Sequence, residues 1–325
     1  MAVDARRDAV ADELRRFLDD EAAGFPAMAQ VFRALSARGR SLAGDGGFYW
    51  GSIPLLVCEA AGGDPERALS VAVAFECVVS ALDVLDDVED RDNPDALWRS
   101  AGVPTAVNVA TLLLFLGQLA IGRLARHGVP DGLVAEAGRV FATAGARACQ
   151  GQQVDLDQMD GREVDEATYL STVGAKSGAL VAGGCRAGAI LATAGRPRID
   201  GYSRFGLNVG VAMQIQNDLT GVSSESLNRN DLRDGKRTLP LIFALECAPA
   251  TVRTELARVF APGRPAELSI EDVARARALL AESGGLLYAM TVADVYWERA
   301  LAWVEDLAGP ETGCLRRLID RLRSG

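Results

Sequence analysis

Apolar residues recur at three- and four-residue spacing in nearly every segment of the chain: Leu14, Phe17 and Leu18 form one stripe, and Val71, Ala74, Phe75 and Val78 another. That period puts the apolar side chains on one face of a helix. Alternating runs bounded by turn residues, the mark of half-buried strands, are hard to find. Breakers at Gly44 to Gly47, Gly62 to Pro65, Asn93-Pro94, Gly128 to Pro130, Gly195 to Pro197, Ala248-Pro249 and Pro262 to Pro265 cut the chain into helices of ordinary to long length. No break is long enough for an interdomain linker, so the pattern predicts an all-α fold in one domain spanning 1–325.

Composition sharpens this picture in a few places. With 49% apolar and 24% charged residues, the chain can bury a large core. The net charge of −10 disfavours a nucleic-acid partner, and an anionic substrate would need local cations or metals. Six cysteines without CxxC pairs suggest neither a disulfide framework nor a zinc site, and point to a reducing cytoplasmic setting. The N-terminal stretch is charged and amphipathic, unlike a secretory signal. The longest weakly charged stretch, Thr105 to Gly122, is interrupted by Asn108, Thr111 and Gln118 and reads as a buried helix rather than an integral membrane segment. No fixed-period repeat or low-complexity tract is visible.

Two acidic clusters carry the candidate chemistry. Asp83, Asp86, Asp87 and Asp90 are spaced by three, one and three residues, so on a helix they share a face. Carboxylates stacked a turn apart repel one another unless cations neutralise them, and Mg²⁺, held by one or two carboxylates while it bridges to phosphates, suits that arrangement. A solvated acidic helix end ahead of the Asn93-Pro94 turn is the alternative. The second cluster, Gln214, Asn217, Asp218, Gly221 and Glu225, again falls along one helical face. It follows the apolar, glycine-containing run from Phe205 to Met213, a face that must be packed. Next, a glycine turn in DLRDGKRTLP presents Lys236 and Arg237, cations able to close over a diphosphate.

The runs FGLNVGVAMQIQNDLTG (205–221) and NDLRDGKRTLPLIFAL (230–245) resemble the second Asp-rich region of trans-polyprenyl (isoprenyl diphosphate) synthases. Upstream, GQQVDL (151–156) and YLSTVGAKSGAL (169–180) are similar to that family's GQxxDL and KTxxL segments, so the resemblance extends from about 62 to 245. It implies an isoprenoid synthase type I helical bundle with a central cavity, an allylic prenyl diphosphate substrate and a homodimer. It also implies three Mg²⁺ ions, held by Asp86, Asp87, Asp90, Asn217, Asp218 and Glu225, that withdraw charge as the carbon–oxygen bond breaks. Lys176, Lys236, Gln152, Gln214 and Arg99 or Arg237 would face the leaving diphosphate. Ala81 and Leu82 would line the cavity floor and leave room for a farnesyl- or geranylgeranyl-sized chain.

The chain also departs from that family. Elongating members carry GKxxRP and a histidine that bind isopentenyl diphosphate; here the corresponding stretch is GGFYWGSIPLLV (46–57) and the histidine position is Val79, while the single His127 reads as a surface residue. A second diphosphate lacks its cations on this reading. The second motif reads NDLTG, and Glu225 eight residues after Asn217 resembles the Asn, Ser/Thr, Glu triad of class I terpene cyclases, with Gly221 at the hydroxyl position and a water needed in its place. These departures favour a class I terpene synthase that cyclises or quenches the cation, with Phe48, Tyr49 and Trp50 as π faces, as plain core, or as an acceptor's stacking platform. The alternative is a prenyltransferase using an aromatic, indole or peptide acceptor, because Asp92-Asn93-Pro94 and Trp98-Arg99 look similar to bacterial enzymes of this fold that alkylate a peptide tryptophan. Elongation with isopentenyl diphosphate ranks below these two, and a metal-free structural relative is a further reading. Asp83, where relatives are apolar, is either a support to the metal ligands or a base for final deprotonation.

Overall fold

The computed structural model describes residues 2–22, 50–91, 93, 95–159, 164–223, 231–260, 268–307 and 312–324. Glu225, Phe48, Tyr49, Asp92, Pro94 and the breakers at Gly44 to Gly47 and Pro262 to Pro265 lie outside the described residues. The elements are all helical: α1 (Ala2–Ala22), α2 (Ser52–Ala60), α3 (Leu69–Asp90), α4 (Leu97–Ala101), α5 (Val103–Arg123), α6 (Asp131–Met159), α7 (Glu166–Val173), α8 (Ala179–Leu191), α9 (Arg196–Ser223), α10 (Asp231–Asp234), α11 (Leu239–Cys247), α12 (Ala250–Val259), α13 (Ile270–Glu282), α14 (Gly285–Asp306) and α15 (Gly313–Arg323). Short 3₁₀ turns cover Pro65–Ala68 and Leu124–His127. The breaks expected at Gly62 to Pro65, Gly128 to Pro130, Gly195 and Ala248-Pro249 all separate helices.

The centre of the bundle is α3, in which every residue from Ser70 to Ala81 is buried. A helix with no exposed side over three turns must be enclosed by other helices, and α3 packs against α5, α6, α8, α2 and α1. Its last turns change character to LDDVED, and the helix stops at Arg91, whose left-handed backbone (φ 59) lets its N–H bond to Asp87 O. The second long rod, α9, lies between α8 and α14, with Tyr202, Phe205 and Val209 fully buried along it.

Between α7 and α8 the helix carries a π-turn, Gly174–Gly178, wedged between α6 and α9. Two glycines let the backbones meet there. A Cβ on Gly151 would lie 2.5 Å from Lys176 N, and one on Gly210 would lie 2.8 Å from Ser177 O. Such a bulge re-aims the side chains it carries, here Lys176 and Ser177.

Two helical stretches, 65–90 and 103–127, are long and apolar enough to cross a membrane by length and composition. The first is interior, with 78% of its apolar window buried. The second corrects the expectation for Thr105 to Gly122: only 44% of its window is buried, and α5 presents Val103, Val107, Phe115 and Leu119 on its outer face. Asn108, Thr111 and Gln118 are also exposed there, so the polar interruptions mark an outer face rather than a buried helix.

Candidate active site

Helices α3, α6, α7, α8 and α9, with the segment around Lys236, enclose a cavity of about 740 Å³. Both acidic clusters sit in the last turns of their helices, Asp83 to Asp90 on α3 and Asn217 and Asp218 on α9. Helix carboxyl ends carry unpaired carbonyls and the negative pole of the macrodipole. Two such ends lined with carboxylates form a strong site for cations.

Two lysines answer part of that charge. Lys176 Nζ, aimed by the π-turn, lies 2.8 Å from Asp86 Oδ1 and 3.0 Å from Asp155 Oδ2. Lys236 Nζ reaches across to donate to Asp90 Oδ2 at 2.7 Å, which ties the segment after α9 to the end of α3. Desolvation pushes Asp86 up to about 6 against the pull of Lys176, with Asp90 adding to the rise. For Lys176, burial lowers the pKa but Asp86, Asp155 and Asp90 outweigh it, and the ammonium is held charged.

The remaining carboxylates are each oriented by neighbours. Asp87 is buried and both of its oxygens accept from Asn93 Nδ2 at 3.0 Å. Trp98 Nε1 donates to the Asp87 carbonyl at 2.7 Å. Asp90 also accepts from Gln152 Nε2 at 3.3 Å, while Gln152 Nε2 reaches Glu89 at 3.0 Å. On α9, Asp218 Oδ2 accepts from the Tyr169 hydroxyl at 2.6 Å and Oδ1 from Gln214 Nε2 at 2.8 Å. Burial raises the Asp218 pKa, and these two donors oppose the rise.

The structure therefore brings Asp83, Asp86, Asp87, Gln152, Lys176, Gln214, Asn217, Asp218, Lys236 and Arg237 to one cavity, with Asp90 beside it. Three expectations change. Arg99 does not face the cavity: its Nε and Nη2 donate to the carbonyls of Asn93 and Arg91 at 2.9 Å, and its guanidinium stacks on Trp98. It holds the turn that ends α3 because α4 points it back along the chain. Gln214 is engaged by Asp218 and, through Oε1, by the Ser177 hydroxyl at 2.7 Å, so it positions a carboxylate. The place beside Gly221 that would need a water is filled by Asp231, whose Cγ would be 2.6 Å from a Cβ on Gly221. Of the aromatic run, Trp50 packs against the core, and His127 is exposed as expected.

Sequence reasoning missed Tyr169, Asp155, Ser177, Asp231 and Thr238 as site residues. Tyr169 precedes Lys176 by seven residues, two helical turns, and that spacing was a usable signal. Asp231 carried none, because its closeness to Gly221 arises only from the chain's return after α9.

Among the described residues, no three His, Cys, Asp or Glu side chains converge to hold a metal ion on their own. Two buried atoms on the cavity wall, Gln152 Oε1 and Thr238 Oγ1, have no protein partner, and a polar, hydrated ligand would satisfy them. The residues present fit a metal–diphosphate rather than a preformed cage.

The polyprenyl synthetase profile matches residues 46–276. The chain belongs to the polyprenyl synthetase family. It is 31% identical to a geranylfarnesyl diphosphate synthase of Aeropyrum pernix over 264 residues, covering 76% of this chain and 79% of that one. To a geranylgeranyl diphosphate synthase of Mycobacterium tuberculosis it is 30% identical over 297 residues, covering 87% and 82%. Among solved structures, the geranylgeranyl pyrophosphate synthetase of Geoglobus acetivorans superposes with a TM-score of 0.82 at 25% identity, over 99% of each chain. The all-α isoprenoid synthase type I fold follows from this likeness, and the matched span of this polyprenyl synthetase family member includes every cavity residue named above.

Proposed function

We propose that this protein is a prenyltransferase that ionises an allylic prenyl diphosphate and passes the prenyl group to isopentenyl diphosphate, lengthening the chain. The observation that carries this reading is the pair of Asp-bearing helix ends facing one cavity with Lys176 and Lys236 between them. The names of the relatives given above, each a prenyl diphosphate synthase, support elongation over the cyclisation favoured by the sequence motifs.

Bound Mg²⁺ would supply electrophilic pull on the diphosphate as its bond to the prenyl carbon breaks. Asp86, Asp87, Asp90, Asn217 and Asp218 would hold the ions, with Asn93 fixing Asp87 and Tyr169 fixing Asp218. Lys176 and Lys236 would exchange their carboxylate partners for the leaving group, with Arg237 on the same cavity wall, meeting negative charge that grows in the transition state. Leu82, Leu85, Leu156 and Leu180 give the cavity its apolar wall, which keeps water from the cation.

A second reading, quenching within the cavity or transfer to a non-isoprenoid acceptor, is favoured by Val79, a buried apolar residue at the family's histidine position, and by Arg99, which is turned to backbone carbonyls. The test is incubation with Mg²⁺ and geranyl, farnesyl or geranylgeranyl diphosphate, with and without isopentenyl diphosphate, followed by product analysis. A longer prenyl diphosphate formed only with isopentenyl diphosphate supports elongation. Cyclic hydrocarbon from one allylic substrate alone would overturn it.

A further inference from the structure

Contacts across the cavity set a scale of depth along α3. Gln152 and Lys236 meet Asp90 at the end of the helix, and Lys176 meets Asp86 one turn further in. Leu180 follows Lys176 by four residues, on the helix that continues inward until Gly184 comes against the Phe75 ring in the core. Leu180 therefore stands about one turn below Lys176, level with Leu82 and Asp83, and all three line the cavity. Asp83 is a carboxylate about 4.5 Å deeper along the helix axis than Asp86, where the polar mouth gives way to apolar wall. With a diphosphate seated at the row from Asp86 to Asp90, the first carbons of the attached chain reach the depth of Asp83, and the rest of the chain runs past Leu82 and Leu180.

Positive charge appears at those first carbons. As the bond between C1 and the diphosphate oxygen breaks, its electron pair leaves with the diphosphate, and C1 to C3 of the prenyl chain share the positive charge. Apolar surroundings screen little, so a fixed carboxylate at that level lowers the barrier. Before the bond breaks, the same carboxylate faces an anionic substrate and adds nothing to its binding, and an interaction made only in the transition state raises turnover. We infer that Asp83 is a catalytic residue that stabilises the allylic cation. This deepens the reading of the cavity as one that ionises an allylic diphosphate, and rests on it, whichever acceptor captures the cation.

The test uses the full chain and the variants Asp83→Asn, which removes the charge and keeps the shape, and Asp83→Glu, which keeps the charge. Diphosphate release from farnesyl diphosphate is followed at saturating Mg²⁺ without isopentenyl diphosphate, so that water captures the cation and yields the prenyl alcohol and a proton. Asp83→Asn is expected to lower kcat about tenfold or more without raising KM, and Asp83→Glu to retain most of the rate. Calorimetry gives a second readout independent of turnover: with Mg²⁺ and inorganic pyrophosphate present, Asp83→Asn should bind farnesylamine, whose ammonium stands at C1, about tenfold more weakly, and uncharged farnesol as the unmodified chain does. Unchanged affinity for farnesylamine, or equal loss for both ligands, overturns the inference. So does a raised Mg²⁺ requirement with an unaltered rate at saturation, which would place Asp83 among the supports of the metal. No diphosphate release by the unmodified chain from geranyl, farnesyl or geranylgeranyl diphosphate overturns the ionisation reading itself, and this inference with it.

Discussion

At the scale of single residues, the acidic groups are distinguished less by their own chemistry than by what holds them. Tyr169 donates to one oxygen of Asp218 and Gln214 to the other, which fixes the carboxylate in one orientation. Tyr169→Phe is expected to raise the Mg²⁺ concentration needed for half-maximal rate about tenfold, with little loss at saturating metal; a Mg²⁺ titration of initial rates checks this, and an unmoved curve refutes it. Asp86 gives a pH signature. Its folded-state pKa of about 6 lies above the ordinary value of about 3.9, so the folded chain holds the proton more tightly than the unfolded one. Metal-free stability is therefore greatest below the unfolded value and declines as the pH rises from about 4 to about 6. Melting temperatures measured across that window without divalent ions should slope downward, and Asp86→Asn should flatten the slope; an identical slope in the variant would show that another group is responsible.

At the scale of elements, the π-turn is what aims Lys176 at Asp86 and Asp155, and it depends on close packing against α6 and α9. Gly151→Ala places a methyl 2.5 Å from Lys176 N, an overpacking expected to cost about 1–3 kcal/mol. Gly145→Ala is the control on the same helix, because nothing lies within 4 Å of its Cβ; there alanine should stabilise by about 0.5–1 kcal/mol through helix propensity. Thermal denaturation of the two variants should give shifts of opposite sign, and matching shifts would mean the approach at Gly151 is not tight. The ends of α3 and α9 make a second point at this scale. Each long rod carries its cavity-facing acidic row in its final turns, so the elements that build the core also deliver the site, at the helix poles where cations are favoured.

At the scale of the molecule, α5 leaves an apolar stripe uncovered by the single chain. Val103, Val107, Phe115 and Leu119 recur at multiples of four along its outer face, with Phe115 at 64% exposure, and a stripe of this kind is suited to pairing with a second copy. Phe115→Asp combined with Leu119→Asp is expected to convert a homodimer to monomer in sedimentation velocity, with the helical content retained. A wild-type chain that already sediments as a monomer would refute the pairing.

The hydrophobic period alone determined that the chain is helical and where most helices break, because burial of one face every 3.6 residues is a local rule written in local spacing. The motif spacings likewise placed the two acidic rows on helical faces, since residues one or two turns apart meet wherever the helix goes; Gln152 and Lys176 were picked out by the resemblance of their segments to the family's, and Lys236 by the glycine turn that presents it. Other features depended on parts of the chain far apart in sequence. Arg99 had the right charge but turned to backbone carbonyls; Gln214 had the right position but was occupied by Asp218; Tyr169 joined the site from another helix. Gly221 looked like a lost ligand until the returning chain set Asp231 beside it. A one-dimensional pattern fixes which face a residue occupies, whereas the partner met by that face is set by how helices cross, and that is the contribution of tertiary packing here.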